Sequence, residues 1–519
     1  MGDVNNVETV FSGLIVKHGI KVRKNRKSIL TLDCRDIATT LAITPASRYF
    51  DKNKKDSDAF KDLLKEKELP TTGIESTDIE HEGLVQYNAT DWDFIRKRAN
   101  AAGQLVYTIN GTLTTITPTI AAKKDYTLSY GDNLIEFEAE VDARNQFNEV
   151  TLNIWDSAKQ DFVESDQKNL SGIKLEKPGN LSVKDLSKIT NKNGLEINYT
   201  GDLNDGDRKN KLKSELIKSR LARVIGRAQI KQPTLILPGK TVELVGVGKR
   251  FKGLTYITSA RYEFSNNAWT TDLQFGLPRN WNKQEKDDSE TDPGIPTMKG
   301  LYVGVVTELK DEVGEDRIRI RIPAIDAKGA GVWAKIARQD AGEYRGTFFL
   351  PEIDDEVLVG FLNDDPRYPM VLGMLNSSAK PAPVSAESDD NFKGYYSKAG
   401  SRIEFDDTNR KIKIQALGKG EDSKSKIKKY RSEQPKIEKN NTIELNGNDG
   451  TILIQDNNEN LIQLSQDEIK ISAKQKLVLT AKNIEIKASD SLDLEGKKVR
   501  SEAKSGEMLI KGKPINLNP

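Results

Sequence analysis

The sequence predicts a mainly β, multidomain chain: barrel-like domains with short helices, then a small closed barrel, then a C-terminal β-helix wound from three chains. Three observations predict it. The 519 residues exceed what one hydrophobic core serves. Short β-rich runs bounded by Gly, Pro, Asn and Asp recur along most of the length. The last part repeats a pair of aliphatic residues, two positions apart, about every eight residues.

Residues 1–122 mix both element types. Runs 11–16 and 28–34 are β-rich, whereas 57–66 and 91–102 carry helical spacing. In the second helix Asp91 is placed to cap the start and Gly103 the end, and Trp92, Ile95 and Ala99 form a stripe expected to face a core. Residues 123–285 are strand-rich, interrupted by a basic amphipathic helix at about 209–222. They close on a hairpin of 256–264 and 269–275 around Ser265-Asn266-Asn267.

From 280 the composition turns to Lys, Glu, Asp and Ser, followed by Pro293 and Pro296, and the linker is set at 286–300. Residues 301–378 then hold six short β runs, at 301–309, 317–322, 332–337, 347–350, 356–361 and 370–375, which suit a small closed barrel. A second linker, 379–392, contains Pro381 and Pro383.

Residues 393–519 carry the repeat. Its pairs are Ile443 with Leu445, Ile452 with Ile454, Ile462 with Leu464, Ile469 with Ile471, Leu477 with Leu479, Ile484 with Ile486, Leu492 with Leu494, Met508 with Ile510, and Ile515 with Leu517. With Val499 as a degenerate member the steps are 9, 10, 7, 8, 7, 8, 7, 9 and 7. A spacing of two puts both aliphatics on one face of a strand and leaves the residue between them, such as Glu444, Gln463, Lys470, Glu485 or Asp493, on the other. Heptads would instead place apolar residues three and four apart. One strand per unit buries a single apolar row and cannot make a core alone, so three copies are expected to complete a triangular prism. About ten units at roughly 4.8 Å per strand give a needle of about 50 Å.

Bulk chemistry excludes several function classes. The 80 Lys and Arg against 78 Asp and Glu leave a net charge of +2, too balanced for nucleic acid or an anionic membrane as main partner. The single cysteine, Cys34, cannot form an internal disulfide and reads as a buried strand residue. No apolar run reaches the roughly 20 residues of a membrane span, and the start lacks a signal-peptide core, so assembly in the cytoplasm is expected.

No catalytic or metal site is expected, and no cofactor. His18 and His81 are the two histidines, each without a neighbouring nitrogen or sulfur ligand. Asp354, Asp355 and Glu356 follow Pro351 and precede a strand, which reads as a solvated turn. Gly246-Val247-Gly248 and Gly253 lack the endings of phosphate and dinucleotide loops and read as strand-turn glycines. The seven Lys and one Arg of 419–439 are diluted by Glu421, Asp422, Glu433 and Glu438, so this stretch reads as a solvated loop.

Longer motifs carry a resemblance. Gly304-Val305-Val306, Asp316-Arg317-Ile318-Arg319-Ile320-Arg321-Ile322-Pro323 and Trp333-Ala334-Lys335-Ile336-Ala337 resemble the OB-fold barrel of VgrG spike proteins. Thr347-Phe348-Phe349-Leu350-Pro351 and Asp365-Pro366-Arg367-Tyr368-Pro369-Met370 continue it in order. Gln86-Tyr87-Asn88-Ala89-Thr90-Asp91-Trp92, Gly246-Val247-Gly248-Lys249-Arg250-Phe251 and Asn267-Ala268-Trp269-Thr270 are similar to the phage tail hub fold, and Ser401-Arg402-Ile403-Glu404-Phe405 to the family's entry into its β-helix.

The resemblance implies a homotrimeric, non-enzymatic spike of a contractile injection system, such as a type VI secretion apparatus, an extracellular injection particle or a phage tail. It implies an Hcp-like inner tube protein and baseplate components as partners, a PAAR-type tip protein, effector cargo, and contact with a target membrane by mechanical puncture. Assembly in the cytoplasm would be followed by export within the particle. Pro514, Ile515, Asn516, Leu517, Asn518 and Pro519 are the expected tip-protein interface. Family members carry several dozen residues before the strand matching 11–16, where this chain has ten, which implies either a truncated chain or an incomplete first barrel. The short linker 379–390 and the end at Pro519 lead us to expect no effector domain. The competing class is an OB-fold binding module for nucleic acid or carbohydrate. Against it, Arg317, Arg319 and Arg321 alternate with Ile318 and Ile320 without stacking rings.

Overall fold

The computed structural model describes residues 9–24, 27–156, 160–175, 178–191, 193–199, 203–231, 235–265, 268–281, 297–384, 391–417 and 440–515. They fall into two compact units, Met1–Asn376 and Ser377–Pro519. The turn residues Asn266 and Asn267, most of the first linker, residues 385–390 of the second, the Lys-rich stretch 419–439 and the last four tip residues lie outside the described set.

The first unit opens with an antiparallel hairpin, Leu14–Lys21 with Ile29–Arg35, paired with nothing else among the described residues. Cys34 sits on it and is exposed, contrary to expectation, because a lone two-stranded hairpin has no opposing layer to cover either face. Two helices follow, α1 (Asp56–Glu66) and α2 (Asp91–Ala101). Phe60, Leu63 and Leu64 of α1 pack with Phe94, Ile95 and Ala99 of α2 around Leu41 and Leu113, and Trp92 lies half-buried against them. Thr90, and not Asp91, caps α2: its hydroxyl accepts the Asp93 N–H at 3.1 Å, while the Asp91 carboxylate accepts the Gln86 side-chain amide at 2.9 Å. Gly103, at φ +75°, ends the helix as its spacing predicts.

A six-stranded sheet forms the middle of the unit, in the order Leu134–Val141, Val224–Ile230, Ala268–Phe275, Gly253–Ser265, Thr241–Val245, Tyr126–Ser129. The predicted terminal hairpin is its centre, paired from Ile257 with Phe275 to Ser265 with Ala268. Gly246 and Gly248, at φ +78° and +82°, turn the chain after Val245. A small three-stranded sheet, Glu149–Asp156 between Asp161–Gln167 and Gly194–Tyr199, packs Val150, Leu152 and Ile154 against Leu212 and Leu216 of the 17-residue helix Asp205–Leu221.

Five strands close the small barrel: Tyr302–Glu308, Ile318–Arg321, Val332–Ile336, Pro369–Leu375 and Glu356–Phe361. Val306, Ile318, Ile320, Val357, Val359 and Val371 fill it. The expected strand at 347–350 is absent. A two-residue ladder, Ala341–Gly342 with Arg345–Gly346, precedes it, Thr347 N–H donates to the Asp340 carbonyl at 2.9 Å, and Pro351 withholds a donor. With the barrel already closed by parallel pairing of Lys335 with Met370, no free edge remains for a sixth strand.

In the second unit Phe392–Tyr396, Arg402–Asp406, Lys411–Leu417, Asn440–Asn446, Thr451–Gln455, Leu461–Leu464 and Ile469–Ser472 form one seven-stranded antiparallel meander. Strand pairing here is within the chain, each strand with its sequence neighbour, where an intertwined helix would pair strands of different chains. Residues 473–515 continue without assigned strands and are exposed apart from Ala473.

Candidate functional site

The meander brings the repeat into register. Ile403, Ile414, Ile443, Ile454, Ile462 and Ile471 stand opposite one another from strand to strand, and so do Phe405, Ile412, Leu445, Ile452, Leu464 and Ile469. Directly opposed residues share a face, so one side of the sheet carries two continuous apolar rows. These rows are open: Ile443 is 41 % exposed, Ile454 44 % and Ile471 53 %. Completing the burial of each such side chain is worth about 1 kcal/mol, which makes the face strongly favourable to cover.

The other face is polar and cross-linked. Glu404, Lys413 and Glu444 alternate in charge across three strands, with Lys413 and Lys411 at 3.8 and 3.5 Å from Glu444. Tyr396 donates its hydroxyl to Glu404 at 3.0 Å. Burial, reinforced by Arg402 and opposed by Glu444, pushes the Lys413 ammonium below its ordinary value.

Leu477, Leu479, Ile484, Ile486, Leu492, Leu494, Met508 and Ile510 extend the period, all exposed and on backbone with no assigned strand. Of the expected tip residues Pro514 and Ile515 are exposed, while Asn516, Leu517, Asn518 and Pro519 lie outside the described residues.

A second constellation, in the first unit, was not apparent from the sequence. Asp56 of α1 receives two bonds from Arg98 of α2, at 2.7 and 2.9 Å, and His81 Nε2 lies 3.0 Å from the same carboxylate. Asp207 approaches from the helix Asp205–Leu221, its carboxylate 3.9 Å from His81 Nδ1 and 3.2 Å from Arg367. Arg367, beside the barrel strand Pro369–Leu375, also binds Asp365 at 2.8 Å. All of these side chains are at most 11 % exposed. Burial alone would raise the Asp56 carboxyl, but Arg98 and His81 overcome it and hold it well below the usual carboxylate range.

Alongside, Tyr49 Oη accepts the Ile322 N–H at 3.1 Å, Val85 enters the barrel's own core cluster, and Arg317 bridges Asp311 to Glu82 at 3.0 and 2.9 Å. The arrangement is a charged seam that fastens the barrel to the preceding domains. Its cation and anion partners satisfy each other. His18 is exposed on the N-terminal hairpin. Asp354 occupies a turn at φ +69°, and the Asp355 carboxylate accepts the Glu352 N–H at 2.8 Å. Among the described residues no group of three or more His, Cys, Asp or Glu could hold a metal ion, and no helix is long and apolar enough to cross a membrane.

Comparison with known proteins gives the following. Residues 302–375 match a family described as the type VI secretion system/phage-baseplate injector OB domain, over the closed barrel. Residues 1–266 match a family described as the Alg8 N-terminal domain. No curated protein matches the chain.

Among solved structures the chain is similar to a tail protein from Neisseria meningitidis MC58, at 18 % identity and a TM-score of 0.39, covering 52 % of this chain and 81 % of that one. It is similar to the E. coli c3393 protein, a component of the type VI secretion system with structural similarity to T4 bacteriophage tail proteins gp27 and gp5, at 12 % identity and a TM-score of 0.42, covering 70 % and 83 %. A third is the Francisella PdpA-VgrG complex in its lidded form, at 10 % identity and a TM-score of 0.45, covering 84 % and 67 %. With just over half of its 519 residues matched by one family model, the chain belongs to the Alg8 N-terminal domain family, and it carries an injector OB domain of the type VI secretion and phage-baseplate kind.

Proposed function

We propose that the protein is a structural spike of a contractile injection apparatus, built as a homotrimer. The observation that carries this is the seven-stranded meander with two open aliphatic rows. A single sheet cannot cover its own face, whereas three copies converging on one axis bury all six rows in a triangular core and keep the charged faces in water. Over Phe392–Ser472 each chain then supplies one wall of the prism. Residues 473–515, with the same aliphatic period, wind together below it. The injector OB domain at 302–375 forms the collar, and residues 1–122 and 123–285 the hub.

In this reading the hub meets an Hcp-like tube and baseplate components, and the needle punctures a target envelope to deliver effectors. The role is mechanical and not catalytic. Assembly takes place in the cytoplasm, before export within the particle. Sedimentation of the full chain is expected to give a trimer of the 57.9 kDa protomer, and a folded monomer at micromolar concentration overturns the proposal.

Ile515, exposed and apolar, is the last repeat residue among the described ones. Three such ends leave unpaired strand edges that water penalises, and Pro514, Ile515, Asn516, Leu517, Asn518 and Pro519 form the platform for a PAAR-type tip protein. Deleting residues 515–519 is expected to abolish co-purification of the tip protein while leaving the trimer intact. Undiminished co-purification places the docking surface elsewhere.

A further inference from the structure

The N-terminal hairpin and the outer strand of the six-stranded sheet are complementary surfaces that do not meet within one chain. The hairpin is amphipathic across its register. Ile15 opposes Cys34, His18 opposes Leu32, and Ile20 opposes Leu30, which gives one face of mainly apolar side chains. Among the described residues no layer covers that face, and Ile20 is 71 % exposed. Lys17 opposes Asp33, Lys21 opposes Ile29, and Leu14 opposes Arg35, so the other face is mixed, with a net basic charge beside two exposed aliphatic side chains. A two-stranded hairpin of this kind is marginal alone and gains stability from a third strand.

Apart from an isolated bridge between Leu134 and Tyr130, the strand Leu134–Val141 pairs among the described residues with Val224–Ile230 alone, and beyond Leu134 its outer edge has no ladder partner there. Its faces are equally distinct. Phe137, Ala139 and Val141 pack on the core, while Glu136, Glu138 and Glu140 are exposed on the opposite face, where Arg227 of the neighbouring strand pairs with Glu136 at 2.9 Å and Glu138 at 3.1 Å and leaves the three glutamates in excess. Lys17 and Lys21 are four residues apart, as are Glu136 and Glu140. When the strand Leu14–Lys21 is added along this edge with its basic residues beside the three glutamates, its apolar face continues the surface of Phe137 and Ala139. Both matches arise in the same register, and a slip of one residue would destroy both together.

We infer that the N-terminal hairpin is an arm that adds as a strand to the open Leu134–Val141 edge of a second copy of this chain, linking the hubs head to tail around the trimer. The inference rests on the homotrimer proposed above but uses surfaces far in sequence from the needle, so the two fail separately.

The test is zero-length carbodiimide cross-linking of the full-length protein, which joins Lys to Glu in contact. Bands of monomer and multimer size are separated on a denaturing gel and digested for mass spectrometry. A peptide bearing Lys17 or Lys21 joined to one bearing Glu136, Glu138 or Glu140 is expected in the multimer band. Lys17→Glu with Lys21→Glu removes both amines and so abolishes this product, and adding Glu136→Lys with Glu140→Lys should restore a linked pair in the multimer band with amine and carboxylate exchanged. If the chain sediments as a trimer and the linked peptide is absent or confined to the monomer band, the glutamates serve only to blunt an edge and the inference is overturned while the trimer stands. A chain that sediments as a monomer overturns both.

Discussion

An Ile471→Asp chain is expected to lose the cooperative melting transition of the needle and the protease resistance of residues 392–515, whereas Lys470→Asp retains both. Ile471 lies in an aliphatic row opposite Ile462, and Lys470 lies on the other face opposite Gln463. In the proposed prism three Ile471 side chains converge on the axis. Three carboxylates there would have to be desolvated or protonated, at a cost of several kcal/mol per chain. On the outer face the same carboxylate stays in water and costs little. Leu479→Asp, in the continuation of the repeat, is expected to act as Ile471→Asp does. Limited proteolysis and thermal melting distinguish the outcomes, and equal behaviour of the Ile471 and Lys470 variants would reverse the assignment of inner and outer faces.

The second large effect is expected at the charged seam. Arg98→Met removes both hydrogen bonds to Asp56 and leaves a buried carboxylate with His81 alone, so the first unit should lose about 3–5 kcal/mol of stability at neutral pH. The pH dependence has a definite sign. In the parent chain the folded-state value of Asp56 is depressed, so the stability it contributes is complete above the unfolded value of about 4 and is lost as pH falls through the folded one. In the variant the Arg98 charge that offset burial is gone. Its deficit relative to the parent should therefore shrink as the pH is lowered through the carboxylate range and Asp56 takes up a proton. Adding Asp56→Leu to Arg98→Met should recover much of the loss at pH 7, because a buried pair replaced by apolar groups is close to neutral. Thermal denaturation of the three variants between pH 4 and pH 8 reads this out. A deficit that does not change with pH would mean that Asp56 is not the charge left behind.

These two sites differ in how far the sequence revealed them. The needle rows follow from a local rule, since a spacing of two fixes the face of each aliphatic before any partner is known, and the meander then aligns the pairs. The OB barrel was legible for the same reason, in short alternating runs such as Ile318 and Ile320. Where strand identity depends on a free edge, local signal misleads: Thr347, Phe348 and Phe349 have strand propensity but no ladder to join. Neighbouring cap residues compete in the same way, and Gln86 engages Asp91 while Thr90 takes the α2 terminus. The seam lay beyond reach because its members are 25, 42 and 160 residues apart and share no period. Asp56 and Arg98 belong to no local motif, and only the packing of α1 on α2 brings them together out of solvent.

The connectivity of the meander bears on how such a needle is made. Each strand from Phe392–Tyr396 to Ile469–Ser472 pairs with the next one in the sequence, and apart from the passage through residues 418–439 the connections are short. The sheet can therefore zip one hairpin at a time, with little loop-closure entropy to overcome at each step, as befits a topology of low contact order. Wall formation within a chain should be fast, and encounter between chains becomes the slow, concentration-dependent stage. A newly made chain then passes through an interval in which its aliphatic rows are exposed on an ordered sheet. For the proposed trimer, the rate of encounter during that interval competes with off-pathway stacking of sheets, so the yield of such an assembly should depend on how synthesis is paced against association.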